Sequence, residues 1–358
     1  MTDDGPDGYL ARLVDEDRLR AYLADRLGPA DTFAVERHPE GHSNETLFVT
    51  WGDRELVLRR PPPGETAETA HDVLREYRVI SALQGTDVPV PATVLSCEDH
   101  SVLGCDFYAV ERLAGDVIRD PEPDRFGTLD HRRALGERLV EILARIHGVD
   151  YERVGLGEFG YPEGFTERQV DRWTEQLDWA FEHTGAVRAV PALREVGDWL
   201  TANVPDETGD ALVHGDYKLD NVMVAPGMPP RIVGVFDWEL STLGDPLTDL
   251  GWLLFFWHDR GEDPPVPELQ PTFLTRAGYP TRRELVDRYE AATGTTFANG
   301  RFYRALAAYK MAGLGEMFFR RHLEGNSDDP LYPKMEERVP ALAAYARRVI
   351  DGEDPLRE

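Results

Sequence analysis

Two polar stations set inside short apolar runs do most to limit what this chain can become. The first reads Leu212-Val213-His214-Gly215-Asp216-Tyr217-Lys218-Leu219-Asp220-Asn221-Val222-Met223-Val224, and the second Ile232-Val233-Gly234-Val235-Phe236-Asp237-Trp238. Apolar runs this short read as buried β-strands. The polar residues then fall on loops at strand ends, with Asn221 five residues after Asp216 and Asp237 sixteen after Asn221. One such station alone constrains little. Two in this order restrict both the fold and the chemistry.

An Asp beside a nucleophile, an Asn and a second Asp are the groups phosphoryl transfer uses: one accepts or orients the proton of the attacking hydroxyl, and two hold magnesium on nucleotide phosphates. On that reading Asp216 is the catalytic base, and Asn221 and Asp237 are the metal ligands, an amide oxygen and a carboxylate both being hard donors. Only three of the 39 basic residues are lysines, Lys218, Lys310 and Lys334. One of these rare residues stands two positions beyond Asp216, where a cation meets the transferring phosphoryl group. His214 reads as a hydrogen-bonding partner of its own loop, and Asp249 as an acceptor for that loop's backbone. Glu239 and Asp220 read as solvated carboxylates, His147 as a structural histidine, and Lys310 as a helix-surface lysine or one facing the acceptor. Trp252, Phe255, Phe256 and Trp257 read mostly as core.

The 358 residues suffice for two lobes, and 41% hydrophobic content can fill a sizeable core. Acidic residues number 66 and the net charge is −27, which argues against nucleic acid and anionic membranes as partners. No apolar stretch is long enough to span a membrane. The acidic start Met1-Thr2-Asp3-Asp4 lacks an apolar signal core, so a cytoplasmic location is expected. Cys97 and Cys105 read as buried free thiols. An acidic, lysine-poor surface suits hydration in concentrated salt; GC-rich codon usage is the other account, and it explains the missing lysine but not the excess acid.

The spacing of Leu10, Leu13, Leu19, Leu23 and Leu27 predicts a helix over 9–28, closed by Gly28-Pro29. Strands follow at 33–37, 46–51 and 55–59, and Pro39 to Glu45 forms a turn-rich hairpin tip of the kind that lays backbone N–H groups over phosphates. A helix is predicted over 67–84, then strands near 93–98 and 105–112. From Asp130 to His147 the period is helical, and helices dominate thereafter, near 167–184, 191–203, 247–258, 282–293, 300–323 and 334–350. The proline-rich stretch 258–280 reads as a surface excursion. The change of character near 112–116 divides the chain into a nucleotide-binding lobe, 1–112, and a catalytic and substrate lobe, 113–358.

These residues resemble the aminoglycoside phosphotransferase family of small-molecule kinases. The resemblance runs from Gly41-His42-Ser43-Asn44-Glu45-Thr46 to about Trp252. It is most specific in His214 to Asn221 and in Phe236-Asp237-Trp238-Glu239-Leu240-Ser241-Thr242-Leu243-Gly244-Asp245-Pro246. The latter run, with Leu58-Arg59-Arg60-Pro61-Pro62-Pro63-Gly64, looks most like the branch holding bacterial phosphotransferases of unassigned substrate and the kinase-like domains fused to acyl-CoA dehydrogenases. The resemblance implies a bilobal α+β protein-kinase-like fold, with an antiparallel sheet and a helix in the first lobe and a mainly helical second lobe. It also implies ATP and magnesium as cofactors and a small-molecule hydroxyl as acceptor, whether aminoglycoside-like, choline-like, sugar or hydroxyacyl thioester. Position by position, Asp216 matches the catalytic base, and Asn221 and Asp237 match the metal ligands; Lys218, read from its rarity and its place beside Asp216, joins Asp216 as a catalytic candidate. Glu76 matches the helix carboxylate that steadies a strand cation on the phosphates. That cation is Arg59 here, where a lysine is common. Ser43 and Asn44 stand in the hairpin in place of a glycine-rich run, and Glu111 and Leu113 lie in the linker expected against adenine. Two rival classes use the same residues: a catalytically silent nucleotide-binding protein, which Arg59 and the irregular hairpin suggest, and a metal-dependent phosphohydrolase built on the clustered carboxylates.

Overall fold

The computed structural model describes residues 6–38, 44–63, 72–206, 209–327, 329–354 and 356. It divides into two compact units, one of residues 1–115 and 233–241, the other of residues 116–232 and 242–358. The chain thus enters the first unit twice, a return that the change of character near 112–116 does not announce.

In the first unit, α1 (Pro6–Leu13) and α2 (Glu16–Leu27) replace the single helix predicted over 9–28. The break has a local cause: Asp15 takes extended backbone and its side chain accepts from Arg18 N at 3.1 Å, capping a new helix. Five antiparallel strands follow, β1 (Phe33–Arg37), β2 (Glu45–Trp51), β3 (Arg54–Arg60), β4 (Thr93–Cys97) and β5 (Phe107–Glu111), in spatial order β1-β2-β3-β5-β4. Between β3 and β4 lies α3 (Val73–Ala82), capped by Asp72; the earlier part of its predicted span, residues 67–71, is outside the described residues. A short helix, α4 (His100–Leu103), precedes β5.

Alternation along the strands sorts the sheet's two faces. Leu47 and Val49 of β2, Leu56 and Leu58 of β3, and Phe107 and Ala109 of β5 join Leu13, Leu19 and Leu23 in one apolar cluster. The opposite face carries Arg59, paired in register with Thr46 on one side and Tyr108 on the other. Cys97 is buried and Cys105 half-buried, both free; burial of both was expected.

The second unit is mainly helical. It holds α5 (Leu129–His147), α6 (Phe165–Thr184) and α7 (Pro191–Ala202), then short strands β6 (Ala211–Val213) and β7 (Val222–Val224). The strand β8 (Ile232–Val235) carries the chain back to the first unit, and β9 (Thr242–Gly244) pairs antiparallel with β6. The remaining helices are α8 (Leu247–Phe256), α9 (Arg282–Thr293), α10 (Gly300–Leu323) and α11 (Met335–Asp351). Buried residues occur all round α8 and much of α10, the pattern of helices inside a core. Gly251 lets them meet closely, since a Cβ there would lie 2.7 Å from the Tyr303 carbonyl oxygen.

The stretch 258–280 is not a surface excursion. Val266, Gln270, Phe273 and Leu274 are buried. Prolines exclude helix but not burial, provided the backbone finds partners. Gln270 supplies them, accepting from Val266 N at 3.1 Å and donating to the Phe255 carbonyl at 2.7 Å. Arg282, also buried, binds Asp259, Glu262 and Asp354.

Candidate active site

In the second unit, β6 delivers His214, Gly215 and Asp216 onto a loop held from several sides. Asp249, in the first turn of α8, accepts from His214 N at 2.6 Å and Gly215 N at 2.8 Å. The Asp249 Oδ2 that accepts from His214 N also meets His147 Nε2 at 3.2 Å, and His147 Nδ1 meets the Tyr289 hydroxyl at 2.6 Å. Burial works to raise the Asp249 pKa, but the His147 hydrogen bond and the nearby histidines outweigh it and hold the carboxyl below its usual range. Asp249 and His147 therefore act as sequence reasoning expected. His214 Nδ1 faces Asp216 N at 3.2 Å, and the fully buried Tyr217 donates to the Leu139 carbonyl at 2.8 Å. Gly215 takes φ +82°, a left-handed turn that glycine adopts without Cβ strain.

Three side chains fix the Asp216 carboxylate. Trp252 Nε1 donates to Oδ1 at 2.8 Å, Asn221 Nδ2 to Oδ2 at 2.8 Å, and Lys218 Nζ also to Oδ2. Asn221 donates again to the Asp216 carbonyl at 2.7 Å. Desolvation pushes the Asp216 carboxyl up, but the Lys218 and Lys310 charges prevail and hold it low, so it is ionised at neutral pH. Its side chain keeps 19% of its surface exposed, enough for a reactant to touch.

Lys310, on α10, is not a plain surface lysine. Half-buried, it donates Nζ to the Gly215 carbonyl and stands 4.0 Å from the centre of the Trp252 ring. Asp220 is not freely solvated either: burial raises its pKa.

The first unit gathers a second group of candidates. Arg59 Nη2 lies 3.6 Å from Glu76 Oε2, and Nη1 donates to Thr46 Oγ1 at 3.1 Å. Burial opposes the Arg59 charge, but Glu76, Tyr108, Asp237 and Glu239 together raise its pKa. Glu76 Oε1 accepts from Trp238 N at 3.3 Å, tying α3 to the segment after β8. In that segment Asp237 has φ 64° and ψ 60°, a strained left-handed conformation for a residue with a Cβ. Asn44 Nδ2 donates to Glu239 Oε2 at 3.4 Å, so Glu239 is engaged rather than simply solvated. Glu111 receives Arg54 Nη2 at 2.6 Å. Leu113 packs against Gly234, where a Cβ would lie 2.5 Å from its Cδ1. Ser43 lies outside the described residues.

The structure therefore brings Asp216, Lys218 and Asn221 together in one unit, and Arg59 with Glu76 in the other, where the Asp237 charge acts on Arg59. Arg59 Nε, Glu76 Oε2 and Asn44 Oδ1 are buried with no hydrogen-bond partner among the described residues. Such atoms suit contact with phosphate oxygens or a hydrated cation. Among the described residues no three His, Cys, Asp or Glu side chains form a metal cage. An amide oxygen such as that of Asn221 in the second unit, and a carboxylate such as that of Asp237 in the first, are each hard donors of the kind magnesium accepts. Trp252 and Lys310 escaped sequence reasoning as partners of Asp216; the rarity of lysine was the one available signal for Lys310.

The model of the phosphotransferase enzyme family matches residues 34–285. The chain is 34% identical over 324 residues to acyl-CoA dehydrogenase family member 11 of Homo sapiens, covering 87% of this chain but only 40% of that protein. It thus spans well under half the length of the curated relatives it matches. A solved structure of a putative aminoglycoside phosphotransferase from Ralstonia eutropha superposes with a TM-score of 0.78 at 31% identity, over 94% of this chain and 99% of the other. The GDP complex of aminoglycoside 2'-phosphotransferase-IIIa superposes with a TM-score of 0.63 at 15% identity, over 92% and 99%. The α+β kinase-like fold is common to them. No helix among the described residues is long and apolar enough to cross a membrane.

Proposed function

The chain belongs to the phosphotransferase enzyme family, and on that premise we propose that it transfers the γ-phosphate of ATP to a hydroxyl group of a small molecule. The observation that carries this reading is the state of Asp216. It is ionised and partly exposed, and among the described residues three donors hold it and leave one of its acceptor sites open. A carboxylate offers about four lone-pair positions. Lys218 and Asn221 occupy the two on Oδ2, and Trp252 one of the two on Oδ1. The remaining Oδ1 position takes the acceptor's O–H.

The proposed step balances simply. The acceptor oxygen bonds to the γ-phosphorus, the bond from phosphorus to the β–γ bridging oxygen breaks, ADP leaves, and the hydroxyl proton passes to Asp216. Lys218 stabilises charge on the moving phosphoryl group. Arg59, steadied by Glu76, contacts the nucleotide phosphates through its planar fork. Asn221 and Asp237 would hold magnesium, which would supply positive charge against the phosphates that a chain of net charge −27 otherwise repels. Two ammonium groups near Asp216, those of Lys218 and Lys310, favour an acceptor whose reacting end is neutral or anionic.

The test is transfer of labelled phosphate from ATP or GTP, with magnesium, to a panel of neutral, anionic and cationic alcohols. Asp216→Asn should lower turnover by about 10³-fold or more while nucleotide binding persists. Near wild-type transfer by that variant refutes the assigned base. Tight nucleotide binding with no transfer to any acceptor, or to water, favours the catalytically silent alternative.

A further inference from the structure

Lys310 enters the phosphoryl transfer just described only through its charge, yet it is one of only three lysines in the chain. Its setting is specific. The ammonium donates to the Gly215 carbonyl, while the Gly215 N–H donates to Asp249, so this residue is held through both of its backbone polar groups. The same ammonium stands 4.0 Å above the Trp252 ring and 5.8 Å from that of Trp173. The edge of the Trp252 indole carries the N–H that holds Asp216 Oδ1. For packing alone a methionine fills this volume without the cost of desolvating a charge.

We propose that Lys310 and Trp252 form a positioning pair that aims the Asp216 carboxylate at the acceptor hydroxyl. The inference rests on the phosphotransferase reading and extends it. Among the described residues Trp252 is the one donor on Oδ1, so the tilt of its ring sets where the open position on that oxygen points. Attraction between the ammonium and the ring face fixes the tilt, and it draws electron density from the indole, making the N–H a stronger donor. The charged groups acting on Lys310 are Asp216 from the loop, Asp249 from α8, Lys218, and Arg172 from α6. Burial, the largest influence, pulls its pKa down to about 8, so the pair loses its cation at mildly alkaline pH.

The test uses the full chain with magnesium and labelled ATP, reading phosphate transfer to water and to the alcohol panel. The variants are Lys310→Met, Trp252→Phe, both together, and Lys310→Arg, with nucleotide affinity measured in parallel by calorimetry. Each single apolar variant should lower kcat by about 10- to 100-fold while ATP affinity stays within about twofold, because misaim of a reacting group costs that much. The double variant should be no slower than the slower single. Lys310→Arg should recover most of the rate and shift the alkaline limb of the pH profile upward from about 8. Equal turnover in Lys310→Met and wild type overturns the proposal, as does a double variant whose losses multiply, or a loss confined to ATP affinity. An active wild type with an equally active Lys310→Met refutes this inference alone. A wild type that neither binds nor turns over nucleotide refutes the phosphotransferase reading, and this inference with it.

Discussion

Replacing Lys310 with methionine should stabilise the second unit at neutral pH. In the folded chain burial lowers the Lys310 pKa from 10.5 to about 8. That difference corresponds to about 3 kcal/mol of cost for keeping the group charged at pH 7. Methionine removes the cost but also takes a donor from the Gly215 carbonyl, a loss of about 1–2 kcal/mol. The net expectation is a variant about 1–2 kcal/mol more stable at pH 7. The pH dependence carries the stronger test. Between about 8 and 10.5 the unfolded wild-type chain binds the Lys310 proton and the folded chain does not, so wild-type stability rises through that window relative to the variant. Above it the neutral amine still serves Gly215, and the wild type becomes the more stable of the two. Urea unfolding followed by far-UV circular dichroism at pH 7, 8, 9, 10 and 10.5 should therefore give two stability curves that cross near pH 9. Parallel curves, or a variant weaker at every pH, refute the reasoning. A stability gain accompanied by lost turnover is the pattern expected where function retains an unfavourable buried charge.

Two further outcomes concern the candidate site and a third a buried histidine outside it. Asp249→Ala leaves His214 N and Gly215 N without their acceptor in a buried setting, and should cost about 3–5 kcal/mol in urea unfolding while abolishing turnover. Glu76→Gln keeps an acceptor for Trp238 N but removes the charge opposite Arg59; a thermal melt should show a loss of about 1–3 kcal/mol, and an ATP titration a weaker complex. His258 is buried, and desolvation with the Arg282 charge holds its pKa near 4 against an ordinary 6.5. Its contribution is complete above pH 6.5 and is lost as pH falls toward 4, so His258→Gln should show a flatter acid limb across that window.

Local signals were legible in the sequence where the physics is local. The strand spans of β1 to β3 and the bounds of α9 and α10 follow from period and flanking turns, and their observed limits agree to within a residue. The Asp216 loop declared itself because Lys218 and Asn221 are near it in sequence. Trp252 did not, because a tryptophan in the apolar run of α8 looks like core until its edge is seen to reach a residue 36 positions earlier. Lys310 needed a contact across 95 positions. The burial of 258–280 was hidden for a related reason: only the fold shows that one glutamine satisfies backbone groups on both sides.

The return of residues 233–241 to the first unit has a bearing on how the protein is made. Glu76 finds the Trp238 amide 162 positions downstream, and Val235 N reaches back to the Pro89 carbonyl at 2.8 Å. A nascent chain that has emerged as far as residue 115 therefore holds a sheet whose α3 carboxylate still awaits its partner. Completion of that small unit is deferred until half of the larger one has left the ribosome. An excised fragment ending at 115 is the wrong piece to transplant into another enzyme, because it omits the closing segment.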